Sequence, residues 1–224
     1  YLPRQTEIIN EQQDQQDNAG KPELITTLRI SREELYDDIS DASRLSWMFY
    51  LMSFISAIVA ANGIIRNSPA IIIGAMVIAP LLGPNVALCL ATTLADKSLA
   101  RKGVKANMTG ALVIFIPACL FGLYLTIDPH APEIAARTHV GMADLLLALA
   151  AGVAGVLAFT SGISSTLIGV MVAVALVPPL VTCGLLTGAG YYIEARGAGL
   201  LYLANVIGLN LAGVLTFVFQ GVRP

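Results

Sequence analysis

Residues 73–84 read IGAMVIAPLLGP, and residues 168–179 read IGVMVAVALVPP. An offset of 95 residues superposes the two runs, so that Gly74 meets Gly169 and Pro84 meets Pro179. Both runs are apolar, and each holds two prolines within its last five residues. Self-similarity at a fixed spacing indicates that the chain contains an internal repeat.

A second pair of matching segments follows the first in the same order. Residues 106–110 read ANMTG, and residues 204–208 read ANVIG, at an offset of 98. Two matches in one order favour duplication over chance similarity between apolar segments. The repeats are predicted to cover residues 44–127 and 142–220, with three spans in each. Because three is an odd number, the second repeat must start from the opposite side of the membrane, which gives an inverted pair.

The composition is that of a membrane protein. Hydrophobic residues make up 56% of the chain, charged residues only 12%, and the mean hydropathy is +0.73. Soluble domains carry about a quarter charged residues. A helix needs about twenty apolar residues to cross about 30 Å of hydrocarbon. We therefore predict an all-α integral membrane protein with about six transmembrane helices, covering residues 44–65, 69–94, 104–127, 142–160, 164–188 and 200–219.

The prolines predict breaks in the second and fifth helices. Proline removes a backbone donor, and lipid offers no partner for the carbonyl groups that this frees. Hydrophobic segments interrupted by Gly or Pro at matching positions of two repeats are typical of a transporter's central site. The alternative is a pair of kinks that only shape helix packing. The predicted pathway residues are Pro80, Gly83, Pro84, Asn85, Pro178 and Pro179, with Asn107 and Asn205 on neighbouring helices.

Unwound breaks would bring free backbone N–H and C=O groups together near the bilayer centre, where they can bind ions or dipolar solutes. Asn85 is expected at one such helix end. Asn107 and Asn205 either cap freed backbone groups or form ordinary hydrogen bonds between helices. The remaining polar residues of the spans are expected to hydrogen-bond to their own helices; they are Thr92, Thr93, Thr182, Asn210 and Thr216.

Short loops rich in Lys and Arg predict the orientation. The largest basic cluster lies between the second and third spans, and its members are Lys97, Arg101, Lys102 and Lys105. Placing it inside, against Arg66, Arg137 and Arg196 outside, puts both termini in the cytoplasm. Four cations beside a membrane favour contact with lipid headgroups over nucleic acid. Membrane lipids are therefore the expected partners.

The N-terminal part is polar. Residues 1–30 have the composition of a tether, which is expected to be the remnant of a linker to an N-terminal soluble domain. Residues 31–43 are predicted to form an amphipathic helix, because residues 31–34 have the form of a capping box. This helix is either a plain connector or a lever that carries signals from a cytosolic domain.

Several functions lack the residues they need. No ionisable residue lies in the middle of a predicted span, and there is no nucleophile–base pair or phosphate loop. We expect no enzymatic activity and no cofactor. Irregular spacing in the polar outer loop favours surface residues over a metal site. The three cysteines, Cys89, Cys119 and Cys183, are expected to pack as small hydrophobic residues.

Small residues recur at four-residue spacing, as in Ala148/Gly152 and Gly184/Gly188. This spacing lets helix backbones approach closely. The contacts serve packing within one subunit or assembly of a homo-oligomer.

Residues 67–84 read NSPAIIIGAMVIAPLLGP, and residues 177–180 read VPPL. These runs resemble the signature of a prokaryotic hydrophobic membrane-protein family, the domain of unknown function numbered three-eight-nine. The likeness covers residues 45–220. It implies a multi-pass fold in a prokaryotic inner membrane, commonly preceded by a soluble domain, and names no substrate or catalytic residue.

Two functions remain open from the sequence. The first is a transporter or channel for a small ion or neutral solute, with the paired broken helices as its central site. The second is a membrane module that anchors, assembles or senses, coupled to a cytosolic domain through the 31–43 helix. A water-accessible cavity at the breaks favours the first, and breaks packed dry favour the second. Residue identities leave the substrate unspecified.

Overall fold

The computed structural model describes residues 32–161 and 165–222. The predicted tether at residues 1–30 and the capping residue Ser31 lie outside this part of the chain. The described residues are helical and include no strand. The helices are α1 Arg32–Ala42, α2 Trp47–Ile65, α3 Pro69–Ile78, α4 Leu82–Thr93, α5 Lys97–Tyr124, α6 Pro132–Ala135, α7 Met142–Ser161, α8 Ser165–Gly188 and α9 Tyr192–Phe219.

The long helices have the length and hydropathy of membrane spans. Within the described residues, α2, α5, α7 and α9 each qualify alone, and α3 with α4 qualifies as a fifth, bent segment. Large apolar side chains such as Met108 and Ile207 face outward and are 61% and 66% exposed. Apolar surface of this extent is costly in water and is expected against lipid tails. The apolar helices thus indicate a membrane protein.

Helix α8 lies at the centre of the bundle. It packs against α5, α7 and α9, and also contacts α2 and α3. Residues 175–182 of α8 are all buried. The two prolines of this helix, Pro178 and Pro179, therefore sit in the core of the molecule.

Glycines allow these helices to pack closely. A Cβ atom at Gly184 would lie 2.7 Å from Ala118 Cβ, and one at Gly188 would overlap the carbonyl group of Cys119 on α5. On the other side of the bundle, a Cβ at Gly152 of α7 would lie 3.0 Å from Ala212 Cβ on α9. The predicted close approach of helices at the small residues is confirmed. These contacts lie within one subunit.

The helices predicted as the third and sixth spans begin earlier than predicted. Helix α5 starts at Lys97 rather than residue 104, and α9 starts at Tyr192 rather than residue 200. At α5 the reason is a side-chain cap: Asp96 Oδ1 accepts from the backbone N–H groups of Ser98 and Leu99 at 2.7 and 3.2 Å. Hydropathy marks only the apolar part of a helix, so it misses turns that extend beyond the hydrocarbon.

Helix α1 is amphipathic. Leu35 and Ile39 are buried, whereas Glu33, Glu34, Asp37, Asp38 and Asp41 face outward. Its apolar face packs mainly on α4, the helix that follows the bend. The N-terminal helix therefore joins the core beside the predicted site.

Candidate functional site

The segment predicted to be a broken second helix is divided into α3 and α4. The two helices meet at 59° across residues 79–81. Pro80 explains where α3 ends, because a residue that precedes proline is disfavoured in the helical region. Ala79 has the extended values of φ −71° and ψ 119°. Pro84 lies in the first turn of α4, where its missing N–H costs little.

A serine on the neighbouring helix donates a hydrogen bond to one of the last carbonyl groups of α3. The last four carbonyl groups of a helix have no helical partner, and in lipid such groups need another donor. Ser56 Oγ of α2 donates to the Ala75 carbonyl at 2.8 Å, and both residues are buried. This contact stabilises the helix end that faces the bend.

Two amide side chains, one fully and one partly buried, lie together just after the bend. The Asn85 side chain has 0% exposure, and its Nδ2 donates to the Leu81 carbonyl at 2.8 Å. Asn210 Nδ2 of α9 donates to the Val206 carbonyl at 2.8 Å and lies 3.5 Å from Asn85 Oδ1. Cys89 Sγ lies 3.5 Å from Asn210 Oδ1. We call Asn85, Asn210 and Cys89 the amide cluster.

The amide cluster adds two residues to the predicted set. Asn210 was expected only to bond to its own helix, and Cys89 only to pack as a hydrophobic residue. The first expectation is confirmed by the bond to Val206, and the second by the 1% exposure of Cys89. Their juxtaposition was missed because Asn85 and Asn210 are 125 residues apart in sequence.

The predicted break in the fifth helix is wrong. Helix α8 is continuous through Pro178 and Pro179. Pro179 lacks the N–H that would bond to the carbonyl of Ala175, four residues earlier. Asn205 Nδ2 of α9 donates to that carbonyl at 2.7 Å. A donor from the neighbouring helix thus replaces the missing backbone bond, so that the helix need not unwind.

The bond from Asn205 can be tested with a double-mutant cycle. We expect Asn205→Leu to destabilise the protein by about 1 kcal/mol, because it leaves a buried carbonyl without a donor. In a Pro179→Ala background the residue at position 179 regains its N–H, so the same change should cost clearly less. Unfolding free energies in bicelles measure both. Equal costs in the two backgrounds would show that Asn205 acts independently of Pro179.

Asn107, which matches Asn205 in the sequence comparison at an offset of 98, makes a different bond. Asn107 Nδ2 donates to the Gly103 carbonyl of its own helix at 3.3 Å and is half-buried. It has no hydrogen bond to the bend residues. Among the predicted site residues, the structure gathers Pro80, Gly83, Pro84 and Asn85 at the bend and pairs Asn205 with α8, while Asn107 lies apart.

Three buried polar atoms have no hydrogen-bond partner within the described residues. They are Ser53 Oγ on α2, Thr182 Oγ1 on α8 and Asn205 Oδ1 on α9. The other hydroxyl groups predicted to bond to their own helices do so, with distances of 2.8 Å for Thr92, Thr93 and Thr216. Thr182 is the exception. An unpaired buried oxygen costs about 1–3 kcal/mol, so each of these three groups lowers the stability of the fold unless another group bonds to it.

Helix α1 closes directly on the bend. A Cβ atom at Gly83 would overlap the carbonyl oxygen of Ala42 and lie 2.9 Å from the Ala42 Cβ. Only glycine fits here, because the nearest atoms are backbone atoms of α1. Residues 81–87 are all buried. The bend is therefore packed against protein in this structure.

A hydrogen bond outside the spans also joins α1 to the residue that caps α5. Tyr36 Oη donates to Asp96 Oδ2 at 2.8 Å. This bond, followed by those from the Leu99 and Ser98 N–H groups, lowers the pKa of Asp96 below its usual 3.8. The same bond raises the pKa of Tyr36 above its usual 10.0. Both shifts favour the neutral phenol beside the charged carboxylate.

The two pKa shifts predict how the contact responds to pH. Asp96 stabilises the fold above its usual pKa, and this contribution is lost as the pH falls through the lowered value. Tyr36 stabilises it below its usual pKa, and this is lost as the pH rises through the raised value. We expect Tyr36→Phe to lower Tm slightly at neutral pH and to flatten part of the acid dependence of Tm. Tyr124→Phe, at an 81% exposed residue, is the control; superimposable Tm curves of all three proteins would contradict the assignment.

The acidic and histidine side chains of the loop between α5 and α7 do not gather into a metal-binding group within the described residues. No group of three His, Cys, Asp or Glu side chains there is placed to hold a metal ion. Glu133 instead pairs with Arg137 at 2.8 Å.

Comparisons with known proteins place the chain in a family. The model of the family described as "Domain of unknown function (DUF389)" matches residues 76–211. An uncharacterised protein of Methanocaldococcus jannaschii is 43% identical over 196 residues, which cover 88% of this chain and 61% of the relative. The chain thus spans about three fifths of that relative's length. No solved structure matches this chain. With this family match and an all-helical apolar fold in agreement, the chain belongs to the family of the domain of unknown function DUF389.

Proposed function

We propose that this chain carries a small ion or a neutral solute across a membrane, along a path that passes the bend at residues 79–81. The observation that carries the proposal is the amide cluster, which lies just beyond a bent transmembrane segment. Asn85 is fully buried there without a charged partner. Neutral dipoles beside a broken helix are the groups with which transporters and channels coordinate solutes in the absence of side-chain charge.

The proposal includes six spans in two inverted repeats. Helix α8 supplies the sixth span, since 24 residues extend about 36 Å. One pair of contacts supports the repeat. Gly184 packs on Phe115. The offset of 95 matches Gly184 with Cys89 in the first half, and the offset of 98 matches Phe115 with Gly213 in the second half. Cys89 and Gly213 also lie in contact. Gly110 likewise packs on α2 and Gly208 on α7, the first helices of their own halves.

The chemistry of the buried groups limits the solute class. Asn85, Asn210 and the unpaired oxygens of Ser53, Thr182 and Asn205 supply carbonyl, amide and hydroxyl dipoles. Such groups replace the hydration shell of a monovalent cation or hydrogen-bond a neutral solute. An amide oxygen that accepts no hydrogen bond can coordinate a cation or accept a hydrogen bond from a neutral solute. A small cation or a polar neutral molecule is therefore the proposed cargo.

The bend is closed in the conformation described here, because Ala42 of α1 contacts Gly83 and residues 81–87 are buried. Passage of a solute then requires α1 to move away from α4. Transport by this chain would accordingly depend on the position of the N-terminal helix.

The test is flux through proteoliposomes loaded with a panel of monovalent ions and small neutral solutes. Asn85→Leu and Asn210→Leu replace an amide by an apolar group of similar size. Asn107→Leu is the matched control, because that amide bonds only to its own helix. We expect selective flux from the native chain and the control, and loss of at least about tenfold in the two site variants. Equal flux from all four proteins would place the path elsewhere.

The packing of α1 on the bend favours a second candidate, because a bend packed against protein is the arrangement expected of a module that anchors, assembles or senses. Ala42 joins α1 to the start of α4, and Tyr36 joins it to Asp96, the capping residue of α5. A module that senses or anchors would use this contact to couple the membrane part to whatever precedes α1. No flux of any solute from a well-folded native chain, with α1 protected from hydrogen exchange, would favour this second function.

A further inference from the structure

We propose that the first three turns of α5 bind one anionic phospholipid of the surrounding bilayer. Lys97, Arg101 and Lys105 recur at four-residue spacing, so they form one stripe on the helix surface. All three are exposed. With Ser98 and Lys102 they line a surface concavity of about 370 Å³. This volume is large enough for a phosphate and its glycerol ester.

The stripe has no counter-charge of its own. Within residues 32–161 and 165–222, no carboxylate lies within 4.0 Å of Lys97, Arg101 or Lys105. The nearest acid in sequence, Asp96, is held by Tyr36 and by the backbone N–H groups of Ser98 and Leu99. Lys102 turns towards α1, where its Nζ lies 3.3 Å from Ser40 Oγ. The three stripe cations are thus free to bind an anion.

The position of the stripe along α5 selects a lipid over a dissolved anion. The helix has 28 residues and extends about 42 Å, which exceeds the hydrocarbon thickness of about 30 Å. Residues 106–124 hold no charged side chain and suffice to cross the hydrocarbon. The basic turns therefore lie at the depth of the headgroups, where anionic lipids concentrate.

The apolar face below the stripe fits the acyl chains of the same lipid. Side chains between 49% and 61% exposed follow at four-residue spacing; they are Val104, Met108, Leu112, Ile116 and Leu120. Positions seven residues apart differ by only about 20° around a helix. Lys97, Arg101 and Lys105 therefore lie almost in line with Val104, Met108 and Leu112. One molecule with a phosphate above and a hydrocarbon chain below matches both parts of this face.

The experiment measures lipid retention by native mass spectrometry, after extraction from nanodiscs of phosphatidylcholine that contain phosphatidylglycerol. Arg101→Gln/Lys105→Gln removes two stripe cations. Arg66→Gln/Arg196→Gln removes two exposed cations elsewhere and serves as the control. We expect one tightly held phosphatidylglycerol on the native chain and on the control, and an affinity about 25-fold weaker in the stripe variant, since each of the two cations contributes about fivefold. Arg101→Lys/Lys105→Arg keeps both charges and should retain the lipid.

Two outcomes overturn the proposal. Equal phosphatidylglycerol retention by the stripe variant and the control would show that the stripe binds no particular lipid. Displacement of the lipid by excess inorganic phosphate would show that the site selects the free anion and that the apolar face contributes nothing. Neither result depends on whether the chain transports a solute.

Discussion

Replacement of Gly122 by alanine is expected to destabilise the bundle by about 2–3 kcal/mol or more, because the added methyl group has no space. A Cβ at this position would overlap the carbonyl oxygen of Leu185 and lie 2.8 Å from its carbonyl carbon. Both obstacles are backbone atoms of α8, which cannot rotate away as a side chain can. Either α5 and α8 separate, or the protein loses the fold around them. The loss of stability is measured by unfolding in bicelles or as a fall in Tm in detergent.

The control for this prediction is Gly199→Ala on α9. A Cβ there would meet only Cys183 Sγ, at an ordinary contact distance of 3.4 Å. Its Tm should stay close to that of the native chain, or rise, because alanine is a better helix former than glycine by up to about 1 kcal/mol. If Gly122→Ala and Gly199→Ala had the same Tm, the close contact between α5 and α8 would not exist in the folded protein.

The fold was predictable where local sequence decides it. Continuous apolar runs predict the long helices, and Pro80 predicts where α3 ends. Small residues at four-residue spacing predict close helix contacts, and those of Gly152, Gly184 and Gly188 are confirmed. Each of these features depends on residues that are neighbours in the chain, so the pattern of residue types is sufficient.

The continuous course of α8 was not predictable from its own residues. Pro178 and Pro179 taken alone predict a break, as Pro80 does. The difference is the Asn205 side chain, which donates to the Ala175 carbonyl from 30 residues further along the chain. Whether a proline breaks a buried helix thus depends on a donor supplied by tertiary packing. The sequence contains that asparagine but does not state its position in space.

The candidate site was predictable in part for the same reason. Pro80, Gly83, Pro84 and Asn85 are adjacent in sequence and lie together at the bend. Cys89 lies one turn beyond Asn85 on α4, whereas Asn210 joins the amide cluster only because α9 packs on α4. The contact of Ala42 with Gly83 was missed, since it involves a backbone carbonyl group that no residue type reveals. The glycine was noted as a helix breaker, although its observed role is to make room for α1.

Gly83→Ala is expected to displace α1 from the bend. The added methyl group would overlap the Ala42 carbonyl oxygen, so the C-terminal end of α1 must move or the start of α4 must shift. We expect a loss of about 1–3 kcal/mol of stability, typical of overpacking against a rigid neighbour. Backbone amides of residues 36–42 should exchange with deuterium faster, while those of α2 and α9 stay protected. Hydrogen exchange followed by mass spectrometry measures the two groups separately.

Gly74→Ala is the matched control, because Gly74 lies in α3 of the same bent segment and a Cβ there meets nothing within 4 Å. It should leave the exchange of α1 unchanged. Unaltered protection of residues 36–42 in Gly83→Ala would show that α1 does not rest on the bend. Faster exchange with raised solute flux would identify α1 as the element that closes the path. Faster exchange without flux of any solute would instead connect α1 to the sensing function, because the contact would then respond to the N-terminal segment without opening a path.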